Sequence, residues 1–102
     1  MGEALIFAAL GDDTRLAVVA RLSTSGPLSI VRLTDGAGIT RQAVTKHLHV
    51  LSDAGLVSNY WVGRDRVWEL ETEPLRAARR SLDRISAQWD DTLGRLKAFV
   101  ER

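Results

Sequence analysis

The chain contains no cysteine. That excludes disulfides, thiolate metal sites and thiol redox switches. It also lacks a surplus of either charge: 14 lysines and arginines stand against 13 aspartates and glutamates, for a net charge of +1. No global basic field therefore announces a nucleic-acid partner, and the local distribution of charge has to carry any such argument. No apolar run reaches the length of a bilayer span, so no membrane partner is expected. The N-terminal MGEALIFAALGDD has an acid and no basic leader region, so it does not read as a secretion signal, and a cytoplasmic location follows. There is no P-loop, and Gly36-Ala37-Gly38 lacks the strand and phosphate context of a nucleotide fold. Only two histidines occur, His47 and His49, both in one stretch. No nucleophile–base set can be assembled from these residues, so an enzyme is not expected.

What remains is ordinary globular composition, 45% apolar and 26% charged. A length of 102 residues suits a single domain, 1–102, whose limited core gains from dimerisation. Glu3–Leu10 reads as a short, largely apolar helix whose broad surface, Leu5 included, calls for burial against something such as a partner subunit. Asp12 is a good N-cap for a second helix carrying Leu16, Val19, Ala20 and Leu22 at helical spacing. STSGP is a turn, and Leu28 can form a brief strand. Ser29 caps a short third helix with Ile30, Leu33 and Ala37 as its inward stripe, ended by Gly36 and Gly38.

The most informative stretch is Ile39–Leu56, ITRQAVTKHLHVLSDAGL. Thr40 caps it, Ile39 and Val44 can close as a hydrophobic staple, and Gly55-Leu56 forms a Schellman stop. Stepping 100° per residue from Val44 puts Leu48, Leu51 and Gly55 within about 40° of one face. Gln42, Thr45, Lys46, His49 and Asp53 fall on the other. Short helix, glycine turn, capped helix is a helix-turn-helix signature. Val57–Val62 and Arg66–Glu71 follow as β-rich runs joined by Gly63-Arg64-Asp65, a hairpin. Tyr60, Trp61 and Trp68 read as core and cross-strand packing. Pro74 then starts a long helix whose seam is Leu75, Ala78, Leu82, Ile85, Trp89, Thr92, Leu96 and Phe99, a heptad rhythm. So long a stripe exceeds what a small core can cover. The expected fold is mainly α with a β-hairpin wing, a winged helix-turn-helix ordered α-α-(β)-α-α-β-β-α. Its DNA-reading core would span about 28–72, and its dimerisation helices about 3–10 and 74–100.

A recognition helix meets bases mainly with its N-terminal half. That selects Arg41, Gln42, Thr45 and Lys46 behind the Thr40 cap, with His49 one turn further on. Arg41 can donate a bidentate pair to guanine and Gln42 can bridge adenine. The Thr45 methyl suits a thymine methyl, and Lys46 suits phosphate. At the hairpin, Arg64 and Arg66 suit a backbone or minor groove. The expected partners are double-stranded DNA and a second copy of the chain, joined through Leu5, Leu82, Ile85, Trp89 and Leu96. A protein-interaction dimer, whose helix-turn-helix binds protein, is the alternative that near-neutral charge keeps open.

Three segments carry a resemblance: ALGDDTRLAVVARL, GITRQAVTKHLHVLSDAGLV and VSNYWVGRDRVWEL. On them the chain resembles the ArsR family of bacterial winged helix-turn-helix repressors. The resemblance implies a homodimer built on the first and last helices, with two recognition helices entering successive major grooves of a palindrome. It also implies that Arg41, Gln42, Thr45 and Lys46 read DNA while Arg64 and Arg66 form the wing. One departure matters. Many relatives sense metals through cysteines, or through Asp and His pairs on the last helix. Here there is no cysteine and no histidine after His49. His47 and His49 diverge by about 200° on a helix and cannot share an ion. No metal and no cofactor are expected. A small apolar effector near Trp89 and no effector at all both fit the sequence.

Overall fold

In the computed structural model, which describes residues 2–102, the chain forms five helices and three strands among the described residues. Helix α1 spans Glu3–Leu10 and α2 spans Asp13–Ser25. The expected cap is in place, with the Asp12 carboxylate accepting the Arg15 backbone N–H at 3.0 Å. Strand β1 is only Leu28–Ser29, and α3 runs Ile30–Thr34 behind the Ser29 cap. The third helix therefore ends before Gly36. Gly36 and Gly38, at φ of 74° and 72°, belong to the turn that follows. Ala37 lies in that turn and is exposed, so it is not part of the inward stripe.

Helix α4, Arg41–Asp53, begins where the Thr40 hydroxyl accepts the Ala43 N–H. It ends in a full Schellman motif: Leu56 N–H reaches Leu51 O and Gly55 N–H reaches Ser52 O, both at 2.9 Å, with Gly55 at φ 77°. Strand β2, Val57–Val62, and strand β3, Asp65–Leu70, form the hairpin. Val62 pairs with Asp65, so the turn is the two residues Gly63-Arg64, one shorter than the sequence suggests. Gly63 at φ 60° in the first turn position matches the twist of the strands. Strand β1 adds to the far edge of β3, giving the order β1-β3-β2, all antiparallel.

The core gathers Ile6 and Ala9 of α1, Val18, Val19 and Leu22 of α2, Ile30 and Leu33 of α3, Val44, Leu48 and Leu51 of α4, Leu56 of the turn after α4, and Val57 and Trp68 of the sheet. Helix α5 spans Thr72–Val100, two residues earlier than Pro74. Pro74 is instead the third helical residue, where its missing N–H costs no helix bond. Only the root of α5 meets the body, through Leu75 and the buried Ala78. Beyond it the helix projects, giving a molecule of 69 × 25 × 21 Å. The fold is a winged helix-turn-helix. No helix among the described residues is long and apolar enough to cross a membrane.

Candidate nucleic-acid interface

The two sides of α4 are sharply divided. Val44, Leu48 and Leu51 are at most 1% exposed, which pins the helix against α1, α2 and the sheet. Gln42, Lys46 and His49 are exposed on the other side, and Arg41 is exposed at the first turn, about 60° from Val44. Thr45 is half-buried, and its hydroxyl donates to the Arg41 carbonyl at 2.8 Å. That commits its proton, leaving the oxygen as an acceptor and the methyl as its apolar contact. Thr40, Arg41, Gln42, Thr45, Lys46 and His49 line one shallow concavity over the N-terminal half of the helix. The sequence-selected residues are thus brought together. They form a row of amide and cationic donors of the kind that pairs with base edges and phosphate oxygens.

The wing arginines differ from each other. Arg64 occupies the turn and is exposed. Arg66 is half-buried: its Nε donates to Asn59 Oδ1 at 2.8 Å, and its guanidinium carbon lies 5.1 Å from the centre of the Trp68 ring and 5.8 Å from that of Trp61. Trp68 is buried, and its ring also meets His49 of α4 at 6.2 Å. One indole thus lies between the wing arginine and a side chain of the recognition helix.

The sequence reading of the other two wing aromatics needs correction. Tyr60 is 41% exposed and Trp61 is 66% exposed. Register pairs Trp61 with Arg66 and Asn59 with Trp68, so Trp61 shares the inward face of the hairpin. It stands too near the tip to reach the core. Residue alternation gives the face of a strand but not where the body beneath it stops.

Behind α4, His47 has a different environment from His49. Its Nδ1 lies 3.8 Å from the Asp12 carboxylate and 3.4 Å from Arg15 Nη1. Arg15 in turn donates to the carbonyls of Ala9 and Ala8 in the last turn of α1, where Ala8 O also accepts the Gly11 N–H. The Asp12 carboxyl is held below its ordinary value of 3.8, chiefly by the Arg15 backbone N–H, with the Arg15 and His47 charges adding to the shift. Sequence reasoning did not find this cluster, because its members come from two separate helices. Among the described residues no three His, Asp or Glu side chains gather as an ion-binding group.

The proposed dimer residues are all uncovered. Leu5 is 44% exposed, Leu82 52%, Ile85 60%, Trp89 61% and Leu96 58%. Phe99 continues the stripe, and Phe7 and Leu93 add exposed apolar surface beside it. Ion pairs Arg79–Asp83 and Arg95–Asp91, one turn apart, support the polar side of α5.

Comparison with known proteins agrees with this architecture. The family profile of a helix-turn-helix domain matches residues 10–58. The chain is 44% identical over 77 residues to the HTH-type transcriptional regulator YuzN of Bacillus subtilis, covering 70% of this chain and 84% of that one. It is 43% identical over 77 residues to the HTH-type transcriptional regulator Rv2034 of Mycobacterium tuberculosis, covering 76% and 71% respectively. Among solved structures, an ArsR-like transcriptional regulator from Rhodococcus sp. RHA1 superposes with a TM-score of 0.83 at 35% identity, over 95% of this chain and 91% of that one.

Proposed function

The chain belongs to the ArsR family of winged helix-turn-helix transcriptional regulators, and from that premise we propose that it is a homodimeric, sequence-specific DNA-binding repressor acting at a palindromic operator. One observation carries this reading. The donors Gln42, Lys46 and His49 are exposed on the side of α4 opposite its buried seam, and Arg41 is exposed at the helix's first turn. Arg41 and Gln42 read bases, Thr45 offers its methyl to thymine, and Lys46 fixes register on phosphate. Arg64 adds a backbone contact from the wing tip. The uncovered stripes of α1 and α5 supply the second copy's docking face. A two-fold pair then presents two reading helices to successive major grooves, about 34–36 Å apart. A repressor role is what family membership favours, since a dimer seated on an operator obstructs whatever else must bind there.

The test is retardation of a duplex selected by the protein from a random-sequence library, repeated across salt concentrations. Affinity should fall steeply, with a log–log slope of about −0.9 per phosphate neutralised. Arg64→Ala should weaken binding to all sequences alike and reduce the slope by about 1 per wing engaged. Absence of any retarded species at low salt would refute the reading and leave a protein partner as the role of the helix-turn-helix.

A further inference from the structure

Trp61 is an expensive residue to leave in water, and it does not stand alone. Its ring lies on the hairpin face turned toward α4, stacked beside the Arg66 guanidinium, whose Nε is in turn held by Asn59. Arg66 is itself braced against buried Trp68, so the exposed indole rests on a chain of contacts that runs back into the core. The cleft in front of it is lined by Arg41 and Thr45 of α4 and by Arg64 and Arg66 of the wing. Three arginines thus surround one exposed indole, against the single acid Asp65. Cations alone would suit any anion. Cations interleaved with a fixed, exposed aromatic suit a chain that alternates anionic and apolar groups at short intervals, as the deoxyribose–phosphate backbone does.

We propose that Trp61 is a further DNA contact, packing its indole on the sugar edge of the backbone strand that crosses between the α4 groove and the wing. The inference rests on the DNA-binding reading above. Arg66 acts here as a positioning residue, holding the indole at a set angle. Because the indole is uncharged, its contact releases no counterion and leaves the salt dependence as it was. This separates Trp61 from Arg64, whose contribution is ionic. Being made to sugar, the contact is also indifferent to base sequence.

The test compares the intact protein with Trp61→Phe and Trp61→Ala on a duplex the intact protein has selected from a random-sequence library. Acrylamide quenching of tryptophan emission reads accessibility directly. In the intact protein, DNA should shield a fraction of the emission that is open in the free state. That fraction should be missing in Trp61→Phe, which keeps buried Trp68 and the α5 residue Trp89. Trp61→Ala should bind about tenfold more weakly with an unchanged salt slope, and Trp61→Phe should recover most of the loss. Melting temperatures should match, because the side chain lies outside the core. Should Trp61→Ala prove unstable, the quenching of the intact protein decides by itself. Emission from Trp61 that stays equally accessible in the complex, or wild-type affinity in Trp61→Ala, overturns the proposal while leaving DNA binding intact. If the unaltered protein selects no duplex, the DNA-binding reading fails first and this contact fails with it.

Discussion

Helix α4 and the outer part of α5 are written in the same language, an apolar stripe along an otherwise polar helix, and they end in opposite conditions. The α4 stripe is closed: Leu48 and Leu51 are 0% exposed. The α5 stripe is open, with Ile85 and Trp89 at 60% and 61%. Amphipathicity thus states that a face will be covered, not by what. In α4 the cover is this chain's own core, which frees the opposite side to face outward as a rigid display. In α5 no part of the described chain returns to cover the seam, and the reading above assigns that cover to a second copy. On that reading, stability of the fold and assembly of the molecule belong to different helices and should be damaged separately.

The sharpest way to break the contrast is Trp89→Glu. A carboxylate placed on the seam would be buried in the pair, and twice over by symmetry. Sedimentation should show monomers, while circular dichroism shows the protomer still folded. A surviving dimer at low concentration would move the interface elsewhere. Leu48→Ala is the converse experiment. It should lower unfolding free energy by about 2–5 kcal/mol, since a fully buried side chain is removed and the core relaxes only in part. Denaturant titration measures this, and assembly should be lost only as the fold is lost. Arg41→Ala and Gln42→Ala act on the outward side of α4 and should leave both properties unchanged. Each should instead relax preference at its own base pair, by about 1–3 kcal/mol in competition binding. The smallest effect concerns the α1–α2 joint. The folded Asp12 carboxyl titrates below 3.8, so its contribution is present above the unfolded value and is lost as pH falls through the lower folded value. Asp12→Asn keeps a good cap and should flatten acid unfolding below about pH 4, with little change near neutrality.

Much of the fold was legible because its signals are local. The Thr40 cap, the Gly55 stop and the Asp12 cap each depend on residues within one turn of one another, and each is where the sequence places it. The buried and exposed sides of α4 follow from helical period alone. Errors arose where a local signal has more than one reading. Proline is accepted anywhere in a helix's first turn, so Pro74 could mark the start only to within two residues. Gly63-Arg64-Asp65 contains a two-residue turn and a three-residue turn, and strand pairing chose the shorter. Of the candidate site, the α4 row and Arg64 stand open as expected, whereas the half-burial of Arg66 and the exposure of Trp61 were not readable. Both depend on how far the hairpin extends past the body, a matter of tertiary geometry that no strand pattern encodes. The Asp12–Arg15–His47 cluster was hidden for the same reason, since Arg15 and His47 lie far apart in the chain.

That cluster has a mechanical consequence. Arg15 grips the last carbonyls of α1 while standing beside His47 of α4, and only Gly11 and Asp12 separate α1 from α2. One guanidinium thus ties the end of α1, the arm, to the side of α4, the reading head. If a second copy docks on the stripes of α1 and α5 as proposed, the span between the two heads would follow from the angle at which the copies meet.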